Sequence, residues 1–276
     1  MATAAKIELI ETGRFYADGG AMFGPVPKAS WTRRYPCNEA NACILAMRTM
    51  LINDGAGRIV LVDNGAGNKQ LRRLSFYKFF NLADLHGELL LRNIRPEQIT
   101  DVVLTHLHFD HCGYTTLKNA GALRLAFPNA LHWISREQWD ICRNPGPLEK
   151  DSFLIENIAP LEHSPNLRLI DGDTNLSTAV SLRLFNGHTP AQIAVYAHAE
   201  RTYVFAGDVI PLAAHISPDW ISAYDMFPQT SYSEKLRMLE EATRERQTIV
   251  YCHDAYLDSS MVRKAREGVF GIDTIK

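Results

Sequence analysis

Nothing in this chain of 276 residues suggests a disulfide framework, because its cysteines are odd in number at five, and Cys37, Cys43, Cys112, Cys142 and Cys252 show no CxxC spacing. Neither a stapled secreted fold nor a structural zinc site is indicated, and the thiols are expected to be reduced. Long apolar runs are missing too. Nowhere do 18 or more apolar residues follow one another, and the opening Met-Ala-Thr-Ala-Ala-Lys passes into a strand-like Ile7-Glu8-Leu9-Ile10 without an apolar leader core. A soluble, cytoplasmic protein with no membrane partner is the expectation. Charge of one sign is scarce: 29 basic against 31 acidic residues leave a net charge of −2, no basic run stands out, and nucleic acid is not an expected partner. Repeats, low-complexity linkers and a GxSxG nucleophile elbow are absent as well, so side-chain nucleophile chemistry has no motif to rest on.

What the chain has is apolar material, 46 % of its residues, enough for one large core, and a single catalytic domain over residues 1–276 is the expectation. Two runs of strands, each followed by helical periodicity, suggest a duplicated architecture. Apolar Cys43–Ile52, a turn at Asp54-Gly55-Ala56-Gly57 and Ile59–Val62 read as a hairpin. Leu82, Leu85, Leu89 and Leu90 then recur at helical spacing. In the second half, strands around Leu182–Phe185, Ile193–Ala197 and Thr202–Ala206 precede a helix whose start reads as a capping box, Ser231-Tyr232-Ser233-Glu234, with Leu236, Leu239 and Ala242 inward. Thr248–Tyr251 reads as a last short strand. Two sheets packed face to face, with helices on the outer faces and the site in loops at one edge, satisfy this pattern.

The densest chemical signal is Thr105-His106-Leu107-His108-Phe109-Asp110-His111, which follows apolar Val102-Val103-Leu104. No core requires four metal-ligand types in six positions. Alternation along an extended segment sends His106 and His108 to one side, and a following turn brings Asp110 and His111 round beside them. Imidazole and carboxylate suit zinc and its divalent neighbours, and a two-metal site generates hydroxide near neutral pH. Three further segments supply ligand types at strand ends. They are Asn186-Gly187-His188-Thr189-Pro190, Phe205-Ala206-Gly207-Asp208, and Val250-Tyr251-Cys252-His253-Asp254. The inventory is then five histidines and two aspartates, with Asp208 able to offer an oxygen to each of two ions. His86, His132, His163, His198 and His215 lack such context, although His215 lies near enough to Asp208 in sequence to line a pocket. Cys112 and Cys252 each neighbour a ligand candidate, and their alternative is simple apolar burial.

THLHFDH, then NGHT, then GD, then a late HD, in this order and spacing over nearly the whole chain, resembles the metallo-β-lactamase superfamily of αββα hydrolases. The resemblance implies a four-layer αββα sandwich of two mixed sheets flanked by helices. It implies that His106, His108 and His188 hold one divalent ion, that Asp110, His111 and His253 hold a second, and that Asp208 bridges them. Zinc is the first expectation, with manganese, iron or cobalt as alternatives. Asp63, in Leu61-Val62-Asp63-Asn64-Gly65, resembles the strand-end aspartate that orients a ligand histidine.

Residue identities sort the branches. His108 stands where flavodiiron oxidoreductases have Glu, and Asp208 where many zinc β-lactamases have Cys, which moves the chain toward lactonases, glyoxalase II and phosphodiesterases. The stretch Asp18–Lys28, with Trp31 and Tyr35 after it, looks like a segment of the quorum-quenching lactonases and methyl parathion hydrolase-like enzymes, as does Phe127-Pro128-Asn129-Ala130. Residues 14–36 are thus read as an active-site cover, with Met22, Phe23, Trp31 and His215 as substrate-pocket residues; core packing or a subunit contact in a homodimer is the alternative. N-acyl homoserine lactonases place a Tyr three residues beyond the bridging Asp, where this chain has Pro211, so either Tyr224 supplies a phenol from another direction or the substrate is held differently. The expected function is hydrolysis of a small-molecule ester or lactone with an apolar portion by a metal-bridging hydroxide, with Asp110 or Asp208 shuttling the proton. A phosphotriesterase or phosphodiesterase, or a metal-holding redox or binding protein using Cys112 and Cys252, are the alternatives.

Overall fold

The computed structural model describes residues 5–273, so Met1–Ala4 of the opening stretch and the last three residues lie outside it. Alternation of buried side chains decides the architecture. The first half supplies β1 (Lys6–Asp18), β2 (Ala42–Asn53), β3 (Ile59–Val62), β4 (Asp101–Val103), a small separate hairpin of β5 (Thr116–Asn119) and β6 (Ala122–Leu125), then β7 (Leu131–Ser135) and β8 (Leu167–Ile170). Apart from the hairpin they form one sheet in the order β1-β2-β3-β4-β7-β8. Its first two ladders are antiparallel, and β3, β4, β7 and β8 run parallel. The second half supplies β9 (Thr174–Asn175), β10 (Val180–Phe185), β11 (Gln192–His198), β12 (Thr202–Phe205), β13 (Thr248–Val250), β14 (Ser259–Arg266) and β15 (Val269–Asp273), ordered β15-β14-β13-β12-β11-β10-β9 in a second sheet.

Helices α1 (Gly19–Phe23), α2 (Lys28–Trp31), α3 (Leu85–Leu91), α4 (Phe109–Cys112), α5 (Arg136–Arg143) and α6 (Pro228–Arg244) surround these sheets. Val102 and Leu104 turn outward onto Leu85 and Leu89 of α3 and Trp139 of α5. Val103, with Met50, Ile52, Val60 and Val62, turns inward against Leu182, Ile193, Val195, Phe205 and Val250 of the other sheet. The far face of that sheet, Ala194, Tyr196, Val204 and Ile249, is covered by Met238, Leu239 and Ala242 of α6. The layers therefore run helix, sheet, sheet, helix, the fold the sequence motifs imply. Strands buried on both faces have to be continuously apolar, which is why Ile59–Val62 and Val102–Leu104 read as runs rather than alternations.

Four local expectations need correction. Strand β13 is not the last, because β14 and β15 follow it; the exposed Arg263, Lys264 and Arg266 of β14 masked the buried Met261 and Val262. Of the four leucines read as one helical stripe, Leu82 precedes α3 and Leu90 is exposed. Helix α6 begins at Pro228, a full turn before the expected capping box. Glu234 caps no helix; its Oε2 accepts from the backbone N–H groups of Asn186 and Gly187, at 2.8 and 2.9 Å.

The fourth correction concerns residues 14–36. Their first five residues are the end of β1, and Asp18 then caps α1 by accepting from the Ala21 N–H at 3.0 Å. Phe23 and Trp31 are fully buried, and Phe23 lies flat between Trp31 (4.8 Å between ring centres) and His215 (5.1 Å). His215 is anchored by its Nε2 to the Met22 carbonyl at 2.9 Å. Phe23, Trp31 and His215 thus form a core beneath the cover, and only Met22 among the four reaches a cavity. Aromatic stacking plus complete burial outweighs any surface role, so Phe23→Ala should cost about 3–5 kcal/mol of stability. Urea denaturation reads this directly, and a variant within about 1 kcal/mol of the parent would return Phe23 to the surface role.

Candidate metal centre

All the candidate ligands leave the sheets at one edge. After β4 the chain bends at Thr105 and reaches His108 at the N-cap of α4, whose single turn carries Asp110 and His111. His188 follows β10, Asp208 follows β12, and His253 follows β13. Two glycines permit the close approach. Gly207 has φ +53°, and a Cβ there would lie 2.9 Å from Gln192 Nε2. At Gly187 a Cβ would fall 2.4 Å from the Ser231 Cα, so only glycine lets the His188 turn lie against α6.

The structure brings all seven candidates together. Ligand atoms of His106, His108 and His188 form one group within 4.8 Å of one another, and those of Asp110, His111 and His253 form a second. Asp208 stands between them. Its Oδ1 lies 3.3 Å from His111 Nε2 and 3.2 Å from His253 Nε2, while its Oδ2 lies 3.4 Å from His188 Nε2.

The outer nitrogens of the rings show what the inner ones offer. His111 Nδ1 lies 2.7 Å from Asp63 Oδ2, His188 Nδ1 2.9 Å from Asp225 Oδ1, and His253 Nδ1 2.8 Å from the Ala46 carbonyl. Carboxylate and carbonyl oxygens only accept, so these Nδ1 atoms carry the proton and each Nε2 of the neutral ring presents a lone pair. Yet His111 Nε2 and His253 Nε2 face each other at 3.1 Å. Two bare lone pairs at that distance would repel, so a proton or a cation has to lie between or beside them. His106 Nε2 is buried with no partner among the described residues, and its Nδ1 lies 3.0 Å from Thr105 Oγ1. His108 is turned the other way: Nδ1 faces His188 Nε2 at 3.3 Å, and Nε2 lies 3.4 Å from Glu149 Oε1. Buried, inward-facing lone pairs on imidazoles that are fixed from behind are the donor set that divalent cations require.

Asp63 ties this arrangement to the sheet. Its Oδ1 accepts from the Thr105 N–H at 2.8 Å and its Oδ2 from the Thr105 hydroxyl at 2.8 Å, beside the His111 contact. The residue has φ +55°, a left-handed conformation that Asp tolerates better than most and that still costs of order 1 kcal/mol. Backbone contacts hold it there: its N–H donates to the Val103 carbonyl at 2.9 Å, and the Thr49 hydroxyl donates to its carbonyl at 2.7 Å.

Charge makes the same demand. Burial alone would depress His111 and His188, but Asp208 with Asp110 and Asp63 lifts the first well above its ordinary pKa, and Asp208 with Asp225 raises the second. Asp208, which burial would raise, is held well below the carboxylate range by His253, His111 and His188. Protons on the imidazoles supply the positive charge that these carboxylates need, and divalent cations would take over that task and release the protons.

The centre forms the floor of a cavity of about 280 Å³, with walls that include Phe15, Met22, Leu45, Tyr77 and Phe109. Pro211 and Tyr224 line it, as do Asp110 and Asp208. Several residues here were not found from the sequence, among them the walls Phe15, Leu45 and Tyr77. Glu149 and Asp225 stand behind His108 and His188, and Leu148, 83 % exposed, sits at the mouth. Nothing in the local sequence of Asp225 or Glu149 marks them, since each acts through a contact more than 30 residues distant. Cys112 is fully buried in the core, with its Sγ donating to the Leu107 carbonyl at 3.3 Å.

Residues 48–253 match the metallo-β-lactamase superfamily, and the chain belongs to it. The N-acyl homoserine lactonase of Bacillus thuringiensis is 22 % identical over 169 residues, and the match spans 60 % of this chain and 60 % of that relative. A probable metal-dependent hydrolase from Staphylococcus aureus has a TM-score of 0.87 at 26 % identity, covering 100 % of this chain and 99 % of its own. AidC, a dizinc quorum-quenching lactonase, has a TM-score of 0.79 at 16 % identity, with 99 % and 95 % covered, a likeness of fold.

If the two groups act as one centre, His108→Ala and His253→Ala should each abolish hydrolysis, whereas His163→Ala, exposed and remote in the Glu162–Pro165 loop, should not. Rates on protein verified as folded by circular dichroism test this contrast. Activity within twofold of the parent in either ligand variant would break the assignment.

Proposed function

We propose that the chain is a two-cation hydrolase of a carbonyl ester or lactone that carries an apolar portion. The observation that carries this reading is the junction itself: two His/Asp groups share Asp208 at the floor of a cavity with apolar and aromatic walls. His106, His108 and His188 would hold one cation and Asp110, His111 and His253 the other, and a nitrogen-rich donor set of this kind suits zinc. Cations held there would supply Lewis acidity toward a carbonyl oxygen and bring the pKa of a water near 7.

The chain's own residues do the rest. Asp110 lines the cavity and faces His111 and His253 at 3.9 and 3.6 Å, a position from which it can pass a proton to a leaving alkoxide. Pro211 offers no donor to the substrate. Tyr224 is 42 % exposed, its hydroxyl has no partner among the described residues, and burial of its ring surroundings pushes its pKa up to about 12, so the phenol stays protonated and can donate to a carbonyl. Phe15, Met22 and Leu45 provide the apolar contact.

Turnover of the metal-loaded protein with an acyl lactone, an aryl phosphotriester and a β-lactam tests the reading. The highest kcat/KM is expected for the lactone, and a preference for the phosphotriester would contradict it. Tyr224→Phe should lower kcat/KM for the lactone by roughly three- to tenfold, the worth of one neutral hydrogen bond of about 0.5–1.5 kcal/mol.

A further inference from the structure

Each of the five imidazoles has a partner on its outer side: Thr105, Glu149, Asp63, Asp225 and the Ala46 carbonyl. Among the described residues Asp208 has no backbone N–H or hydroxyl contact of that kind. Its remaining neighbour is Cys252, fully buried, whose Sγ donates to Asp208 Oδ1 at 3.2 Å. The thiol approaches from the residue next to His253, and the ligand atoms of Asp208, Cys252 and His253 lie within 4.8 Å of one another. That the space beside it is built for a ligand follows independently from His106, whose Nε2 is buried and unpartnered among the described residues and which has a ring nitrogen within 4.8 Å of Asp208.

The carboxylate torsion of an aspartate is broad, so a shared Asp with no fixed contact could rotate both oxygens toward one group and leave the other incomplete. One donor on Oδ1 removes that freedom. With Oδ1 held toward His111, His253 and Cys252, Oδ2 is left facing His188. We propose that Cys252 is a positioning residue, a hydrogen-bond donor that fixes the Asp208 carboxylate across the two cation positions without itself being a ligand. Hydroxyl can replace thiol in this role, and a methyl group cannot. The inference rests on the two-cation reading above.

The test titrates the full-length protein, stripped of metal, with zinc against a chelating dye, for the parent, Cys252→Ala and Cys252→Ser. Outer partners of metal ligands typically contribute 10- to 100-fold in affinity. Cys252→Ala is expected to weaken the second zinc by roughly that factor, and Cys252→Ser to recover to within a few-fold of the parent. Cobalt(II) loading gives a second, activity-free readout, in which no thiolate-to-metal charge-transfer band is expected in the parent. Two zinc ions bound by Cys252→Ala with parental affinity would overturn the proposal, as would a charge-transfer band in the parent that Cys252→Ser loses, since the sulfur would then be a ligand. If Cys252→Ala fails to fold, the cobalt spectrum and the Cys252→Ser affinity decide. A parent that binds no zinc brings down the two-cation reading, and this one with it, an outcome distinct from the others.

Discussion

A mostly buried carboxylate at a cavity floor, with one oxygen turned toward each of two imidazole groups, is the constraint on which the rest of this structure depends. Removing a carboxylate from water costs several kcal/mol unless compensating charge lies beside it, and among the described residues the rings around Asp208 supply that compensation. Those rings in turn are useful only if their inner nitrogens are free, which is why their outer nitrogens are occupied by Asp63, Asp225, Glu149 and backbone or hydroxyl oxygens. The requirement propagates outward. Asp63 accepts a left-handed backbone so that one carboxylate can hold Thr105 and His111 together, and Glu234 leaves the helix-capping role its spacing suggests in order to satisfy the turn before His188.

Two sheets packed face to face make such a centre achievable. The strands bring their ends to one edge, and short exits from β4, β10, β12 and β13 deliver ligands separated by up to about 150 positions in the chain to within hydrogen-bond distance of one another. The inter-sheet core of Met50, Val60, Val62, Ile193, Phe205 and Val250 fixes the exits relative to one another. Positional tolerance at such a site is small, so the packing of residues that never touch substrate still governs the geometry.

Much of this was legible in the sequence because it is local. The hexad His106–His111 is a spacing signal, the Gly-His and Gly-Asp turns are strand-end signals, and buried strands announce themselves as apolar runs. What was not legible depends on distant partners. Asp225 and Glu149 look like ordinary loop carboxylates until the fold sets them behind His188 and His108. Strand β14 ends in exposed charged residues, which hide the buried Met261 and Val262 before them. Phe23 and Trp31, between glycines and prolines, read as an exposed cover, whereas ring stacking with His215 places them in the core; only Met22 of that group reaches the cavity. Composition alone could not separate a lid from the packing beneath it.

The central claim is that two divalent cations share Asp208. Anomalous diffraction from crystals of the zinc-loaded protein, combined with metal quantification by mass spectrometry, tests it most directly. The account predicts two zinc ions per chain, one bounded by His106, His108 and His188, the other by Asp110, His111 and His253, with Asp208 between them. One ion or none at full loading, or ions away from these residues, would contradict it.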